Sequence, residues 1–238
     1  MKTLYSMAKL TLSAAVLIML ASTSFVMAQR GMTSEDRDVS TFKAVVTGGS
    51  EDLYVTQGNV QKVRIEAEEG IIKDIETNVR NGVLYIEHED RYFRSHKQIK
   101  VYVTMKEING LRLTGSGKIV GETPIKTDEL ELGISGSGDI VLDVTATEIT
   151  SGISGSGNID LTGKTSDHNF KISGSGKINA LDLETENCSV QISGAGDAKV
   201  NVSKKLDVKV SGSGSIRYTG DPARVNTNVS GSGSVEKI

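Results

Sequence analysis

Residues 170–180 read FKISGSGKINA. Phe170, Ile172, Gly174, Gly176, Ile178 and Ala180 share one parity; Lys171, Ser173, Ser175, Lys177 and Asn179 share the other. Side chains of an extended chain alternate between two faces. The stretch therefore predicts a strand whose apolar residues and both glycines point inward while its serines point outward. The phrase recurs as LTGSGKI at 113–119, ISGSGDI at 134–140, ISGSGNI at 153–159, ISGAGDA at 192–198, VSGSGSI at 210–216 and VSGSGSV at 229–235. Successive first glycines are 21, 19, 19, 20, 18 and 19 residues apart.

Self-similarity at a period near twenty marks a stacked repeat. Nineteen extended residues have a contour of about 60 Å, enough for three short walls and three corners. One such turn cannot bury its own apolar face, but stacked turns can. No stretch after residue 40 carries helical periodicity. The expected fold is all-β: a single-stranded parallel β-helix (β-solenoid) with about 19–20 residues per rung. Right-handed crossovers are the rule for parallel strands, so the coil is expected to be right-handed. The corners are assigned to the glycine pairs Gly115 and Gly117, Gly136 and Gly138, Gly155 and Gly157, Gly174 and Gly176, Gly194 and Gly196, Gly212 and Gly214, and Gly231 and Gly233. Glycine suits a bend where converging walls leave no room for a side chain. The outward serines would stack about 4.8 Å apart and could form a hydroxyl ladder along the axis.

The remaining organisation follows from composition. Lys2 and Lys9, the apolar run from Leu10 to Leu20, and the small residue Ala28 predict a signal peptide over 1–28. Residues 29–40 are polar and read as a disordered arm. Residues 41–238 read as one β-helix domain, irregular over 41–112 and regular over 113–238. Valine-rich starts near 45, 63, 84 and 101 suggest about three irregular turns before the repeats, and Thr47-Gly48-Gly49-Ser50 resembles a worn copy of the phrase. A separate small β-sandwich over 41–105 is the competing reading. Asn81-Gly82 signals a turn.

After removal of 1–28 the chain keeps 25 basic and 30 acidic residues, a net charge of −5. That is no footprint for nucleic acid, and no transmembrane span is expected once the signal is removed. Cys188 is the single cysteine, so no internal disulfide is available, and its strand context reads as a buried small hydrophobe. His88, His96 and His168 show no metal-ligand spacing, and no nucleophile elbow is present. The residue after the second glycine is a carboxylate in only two of seven phrases (Asp139 and Asp197), which speaks against a calcium-binding roll. No catalytic residue, cofactor or metal is assigned. The polar insertion from His88 to Lys97 reads as a loop, and loops often carry function. Tyr85, Arg91, Tyr92, Phe93, Arg94, His96 and Tyr102 are the candidate binding residues. Only Glu236-Lys237-Ile238 follow the last phrase. That leaves the final rung uncapped and suggests an end-to-end homo-oligomer.

FKAVVTG with YVTQG at 42–58, NGVLYI at 81–86 and the repeated ISGSGxI together resemble the auto-transporter adhesin, head GIN domain family. The likeness covers nearly the whole chain after residue 40. It implies an exported bacterial envelope protein, β-helical and adhesin-like, and brings no catalytic residues. The expected function is non-enzymatic binding of a surface ligand (glycan, matrix protein or envelope component) in the periplasm, at the outer surface or outside the cell. The alternatives are a polysaccharide lyase or hydrolase and a periplasmic lipid or envelope-component binder.

Overall fold

A computed structural model describes residues 31–88 and 98–238. The expected signal peptide lies outside the described residues, as does the segment 89–97. The chain divides into two units, Met1–Thr33 and Ser34–Ile238. Only residues 31–33 of the first are described, and the architecture below is that of the second.

Strands follow one another almost without interruption. They are β1 (Met32–Arg37), β2 (Ala44–Gly49), β3 (Asp52–Gln57), β4 (Lys62–Glu68), β5 (Ile75–Arg80), β6 (Val83–His88), β7 (Lys100–Met105), β8 (Gly110–Gly115) and β9 (Lys118–Gly121). The regular part continues as β10 (Ile125–Gly136), β11 (Asp139–Gly155), β12 (Asn158–Gly174), β13 (Lys177–Gly194), β14 (Asp197–Gly212), β15 (Ser215–Thr219), β16 (Arg224–Gly231) and β17 (Ser234–Lys237). A short 3-10 turn, Ile72–Asp74, is the one helical element among the described residues after β1.

The fold is a parallel β-solenoid. Gly49, Gly115, Gly136, Gly155, Gly174, Gly194, Gly212 and Gly231 pair in succession, one per turn. The first wall of each turn precedes this glycine and the second wall follows it. Alternation packs the interior as expected. On the first wall Leu113, Ile134, Ile153, Ile172, Ile192 and Val210 form one buried column, and on the second Ile119, Ile140, Ile159, Ile178, Ala198 and Ile216 form another. Each fully buried aliphatic side chain contributes about 1.5–3 kcal/mol. That outweighs the roughly 0.5–1 kcal/mol lost at each strand glycine.

Gly49 pairs with Gly115, so the worn copy at 47–50 is a true corner. The turns before the repeats, however, are not three irregular rungs in chain order. β2 and β3 lie directly against β8 and β9 on one side and against β6 and β7 on the other. The later segment β6–β7 is thus the outer turn. β5 and β4 then run antiparallel to β6 and β7. The valine spacing marked strand starts but could not register direction. The reversal is made at Asn81-Gly82, where both residues have positive φ (52° and 74°), as a tight hairpin turn requires. β4 and β5 occupy the free edges of that turn and cap this end of the solenoid.

The arm at 29–40 also needs correction, because β1 occupies much of it. Arg64 donates to Ser34 Oγ at 3.1 Å, Lys62 pairs with Asp36 at 3.1 Å, and Arg37 donates to the Ile72 carbonyl at 2.6 Å. Its polar composition reflects pairing with charged partners rather than lack of structure.

The two corner glycines do different work, and only the second faces inward. At the first, φ lies between +118° and +138° in every regular turn. A Cβ on Gly155 would sit 2.3 Å from the Gly136 carbonyl of the preceding turn. This glycine is partly or fully exposed. The second is buried wherever a further turn covers it. A Cβ on Gly157 would fall 2.6 Å from Ile134 Cγ2, so the aliphatic residue of one turn fills the space left by the glycine of the next.

The hydroxyl ladder is not what joins the corners. Among the described residues the serines of the phrase make no side-chain bond to one another, and the lone Ser–Ser contact, Ser234 to Ser215 at 3.2 Å, lies one residue further on. Main-chain bonds join the turns instead. Ser137 N–H donates to the Gly115 carbonyl, Ser156 to Gly136 and Ser175 to Gly155, each at 2.9 Å. Ala195 N–H makes the same bond to Gly174 at 2.9 Å without any hydroxyl.

This geometry predicts a graded mutational response. Gly155→Ala and Gly157→Ala should each destabilise the protein by about 2 kcal/mol or more in urea denaturation, through forbidden φ and overpacking respectively. Ser156→Ala, which copies Ala195, should change stability by less than about 0.5 kcal/mol.

Candidate functional site

The outward column of the first wall carries the least explained residues of the chain. In register it reads Val46, Arg112, Gly133, Gly152, Lys171, Gln191, Lys209 and Asn228. Long polar side chains occupy this position in five of the seven regular turns, and two successive turns have glycine. Neither glycine turns a corner, and neither has positive φ. A Cβ on Gly152 would meet only the Leu132 carbonyl, at 4.0 Å. A strand glycine with no steric cause marks a place where another molecule can approach the backbone.

The result is a notch with a depression of about 420 Å³, between Arg112 on one side and Lys171 on the other. Glu131, Thr150, Ser135, Ser154 and Ser173 line it as well. Arg112 lies along Gly133 and bonds Glu131 at 2.5 Å. Among the described residues Lys171, Thr150, Ser135, Ser154 and Ser173 have no side-chain hydrogen bond or ion partner. The notch thus offers a peptide floor, free hydroxyls and one unpaired cation.

In the other depressions many polar groups are committed to contacts within the chain, while Lys164 and Glu184 in one, and Lys177, Lys199 and Arg217 on the second wall, have no side-chain partner among the described residues. One of about 550 Å³ lies at the bend between the walls. There Thr165 Oγ1 donates to the Thr147 and Asp167 carbonyls (3.2 and 3.1 Å), Ser203 donates to the Thr185 carbonyl (3.2 Å), and Lys204 holds Glu186 (2.6 Å). Another, of about 830 Å³, is bridged by Gln57, which donates to the Lys106 and Lys126 carbonyls and accepts from Lys126 N–H. On the second wall Asn158 and Asn179 donate to Asp139 and Asp160 of the preceding turns (2.8 and 3.1 Å).

Of the residues expected to bind, Arg91, Tyr92, Phe93, Arg94 and His96 lie outside the described residues. Tyr85 and Tyr102 are half-buried and stand on different walls. The Arg80 guanidinium lies 5.3 Å from the Tyr85 ring centre. Tyr102 stacks on Tyr54, with centroids 5.1 Å apart and planes 17° from parallel, so each covers one face of the other. Its hydroxyl donates to Glu66 at 3.3 Å. Burial, then the Glu66 charge, raises its pKa. These contacts are made within the chain, on the outer faces of the walls. The corner phrase dominates the repeat and masks the notch glycines in the sequence. Aligning the repeats on that phrase exposes them, since Gly133 and Gly152 stand where other turns have Lys171, Gln191 and Lys209.

Two polar groups in the interior also escaped the sequence reading. Glu51, almost fully buried, accepts a hydrogen bond from buried Thr47 and places Oε2 3.5 Å from His88 Nε2. It occupies the corner position taken by the second glycine in later turns, and a Cβ on Gly49 would collide with this pair. The cluster ties the end of β6 to the β2–β3 corner. Deeper in the core, Ser151 Oγ lies 3.1 Å from His168 Nε2. His168 sits between Ile149 and Cys188 with no partner at Nδ1. A serine beside a histidine suggests a nucleophile, but both are sealed inside the solenoid. Burial pushes the Cys188 thiol up, as expected of an inert core cysteine. Among the described residues no three His, Cys, Asp or Glu gather as metal ligands, and no helix is long and apolar enough to cross a membrane.

Stacked parallel turns around one largely aliphatic core, with most polar residues on the outer walls, define a repetitive β-solenoid. Residues 41–222 match the family described as "Putative auto-transporter adhesin, head GIN domain", and the chain belongs to that family. Solved structures share the fold. A putative adhesin from Bacteroides fragilis NCTC 9343 is 24% identical with a TM-score of 0.84, covering 88% of this chain and 98% of its own. A putative lipid binding protein from Parabacteroides distasonis ATCC 8503 is 23% identical with a TM-score of 0.72, again over 88% and 98%. A putative adhesin from Parabacteroides merdae ATCC 43184 is 21% identical with a TM-score of 0.70, over 88% and 97%. No curated protein matches the chain.

Burial lowers the His168 pKa from 6.5 to about 4. Between these values the unfolded chain binds a proton that the folded one does not, so stability falls as pH drops from 6.5 to 4. The contribution at stake is up to about 3 kcal/mol. Replacing His168 with Leu should remove that part of the slope, measured as the difference between wild-type and variant urea curves at pH 4, 5, 6 and 7.

Proposed function

We propose that this protein is an exported, non-enzymatic, adhesin-like binding protein of the cell envelope, and that the first-wall notch contacts its ligand. The observation that carries the reading is Gly152, an outward glycine with no steric cause, stacked on Gly133, along which Arg112 lies, and set beside Lys171. A peptide floor with surrounding hydroxyls suits an extended polymer rich in hydroxyl groups. The unpaired Lys171 and nearby Arg112 favour one that also carries carboxylate or sulfate. An acidic glycan has this chemistry. Family membership supports a binding role, and the residue pattern of 1–28 supports export.

A regular wall offers no enclosed site to exclude water from a reacting bond, whereas a polymer can lie along it over several turns. Affinity would then come from repeated weak contacts and would fall with salt.

The test is a panel of neutral and acidic polysaccharides, matrix proteins and lipid vesicles, scored by calorimetry and by product analysis. Binding should be confined to acidic polysaccharides and should weaken between 50 and 500 mM salt, about a Debye length of 14 Å to 4 Å. Gly152→Gln, which copies Gln191, should keep or slightly raise stability while lowering affinity at least about tenfold, or 1.4 kcal/mol. Undiminished binding by this variant would move the site elsewhere, selective vesicle binding would favour a lipid ligand, and polymer turnover would replace the non-enzymatic reading.

A further inference from the structure

The two ends of the solenoid are finished differently. At the first, the edges of β6 and β7 are hydrogen-bonded to β5 and β4. At the other, β16 pairs with β14 and β17 with β15, and neither has a strand on its outer side among the described residues. All eight residues of β16 are exposed. Val225 and Val229, which continue inward columns, are 39% and 40% exposed. Such an edge presents unpaired N–H and C=O groups together with apolar side chains, and is a template for another strand. β16 contains neither proline nor lysine to block pairing.

Residues 225–229 read Val-Asn-Thr-Asn-Val, the same in both directions. The repeat does not impose this, since the two preceding turns read Leu-Asp-Val-Lys-Val at 206–210 and Cys-Ser-Val-Gln-Ile at 188–192. Two copies of β16 related by a two-fold axis run antiparallel. With the axis at Thr227, Val225 lies opposite Val229 of the second copy, Asn226 opposite Asn228, and Thr227 opposite itself. Inward residues meet inward residues and outward meet outward, as a continuous sheet requires. The outward pair matters for charge. Asp207 and Lys209 of the preceding turn give way to Asn226 and Asn228. Asn226 Nδ2 donates to Asp207 at 2.7 Å, which leaves its carbonyl oxygen free to accept from the amide of Asn228 across the axis.

We propose that the protein forms an end-to-end two-fold dimer by antiparallel pairing of β16 with its own copy, centred on Thr227. Because the opposite end is capped, the contact closes at two copies and does not propagate into a filament. A solenoid end face is small. A rung contour of about 60 Å limits the total buried area to roughly 1,000 Å², near the lower bound for specific interfaces, so a weak dimer is expected. The two-fold axis is normal to the first wall and leaves both first walls facing the same way. If the notch binds ligand as proposed above, two notches then lie on one face, roughly 40 Å apart by the inter-strand spacing, and a long polymer can engage both.

Sedimentation velocity from 1 to 500 µM, about the range that brackets such a weak dimer, tests the assembly. A concentration-dependent monomer–dimer equilibrium is expected. Thr227→Lys sets like charges against each other on the axis and should raise the dissociation constant at least about tenfold while the far-UV spectrum stays unchanged. Thr227→Cys reads the register without disrupting it and should give a covalent dimer under mild oxidation, whereas Ser189→Cys on the wall should not. A strict monomer at 500 µM, open-ended oligomers, or crosslinking at Ser189→Cys equal to that at Thr227→Cys would each overturn the proposal. Polysaccharide binding is scored separately on the Thr227→Lys monomer, so failure of the dimer and failure of the notch are distinguishable.

Discussion

One contact repeats along the whole molecule: the backbone of a corner glycine resting on the backbone of the glycine in the turn before it. The positive φ of Gly155 and its neighbours, and the 2.2–2.5 Å approach a Cβ would make to the preceding carbonyl, leave no alternative residue. From this corner the rest follows. The chain re-enters each turn at the same angle, main-chain bonds such as Ser156 to Gly136 lock the register, and the aliphatic columns align over one another. Side-chain ladders such as Asn158 on Asp139 sit on top of this frame. They are exposed or half-buried, and contacts of that kind contribute little to stability.

A fold held mainly by its backbone and its core leaves its outer walls free to vary. That freedom is visible in the outward column, where Arg112, Gly133, Gly152, Lys171 and Gln191 succeed one another without disturbing the strands around them. It is also why a functional surface on such a scaffold is hard to see. The residues that matter for binding need not be buried, perturbed or clustered, and the proposed site is marked by a missing side chain. Buried polar groups such as His168 with Ser151, and Glu51 with Thr47 beside half-buried His88, belong to the solenoid's own packing.

The repeats were readable because a fixed period and strict alternation leave one architecture. The irregular third was readable strand by strand but not in its order. Spacing between valine-rich starts carries no information about direction, and only the pairing of β2 with both β6 and β8 shows that the chain lays down an inner turn, doubles back to form a cap and an outer turn, and then returns. Polar composition over 29–40 misled in a similar way, because Asp36 and Arg37 find their partners on segments 26 to 35 residues further along the chain. The candidate site was half legible. Gly133 and Gly152 stand out once turns are aligned, but the absence of any steric cause at Gly152 needed coordinates.

The sequence by itself determined the class of fold, the period, the corner positions and the identity of the inward columns, because each is a consequence of local alternation repeated at a fixed interval. Only the tertiary structure decided how the ends are finished and which polar groups are already spent. Both depend on contacts between residues distant in the chain, and local pattern does not encode them. The corner shows the division at its smallest scale. Two glycines two residues apart look alike in sequence, yet in turns such as that of Gly155 and Gly157 the first meets only backbone of the turn before while the second meets that backbone and an isoleucine side chain.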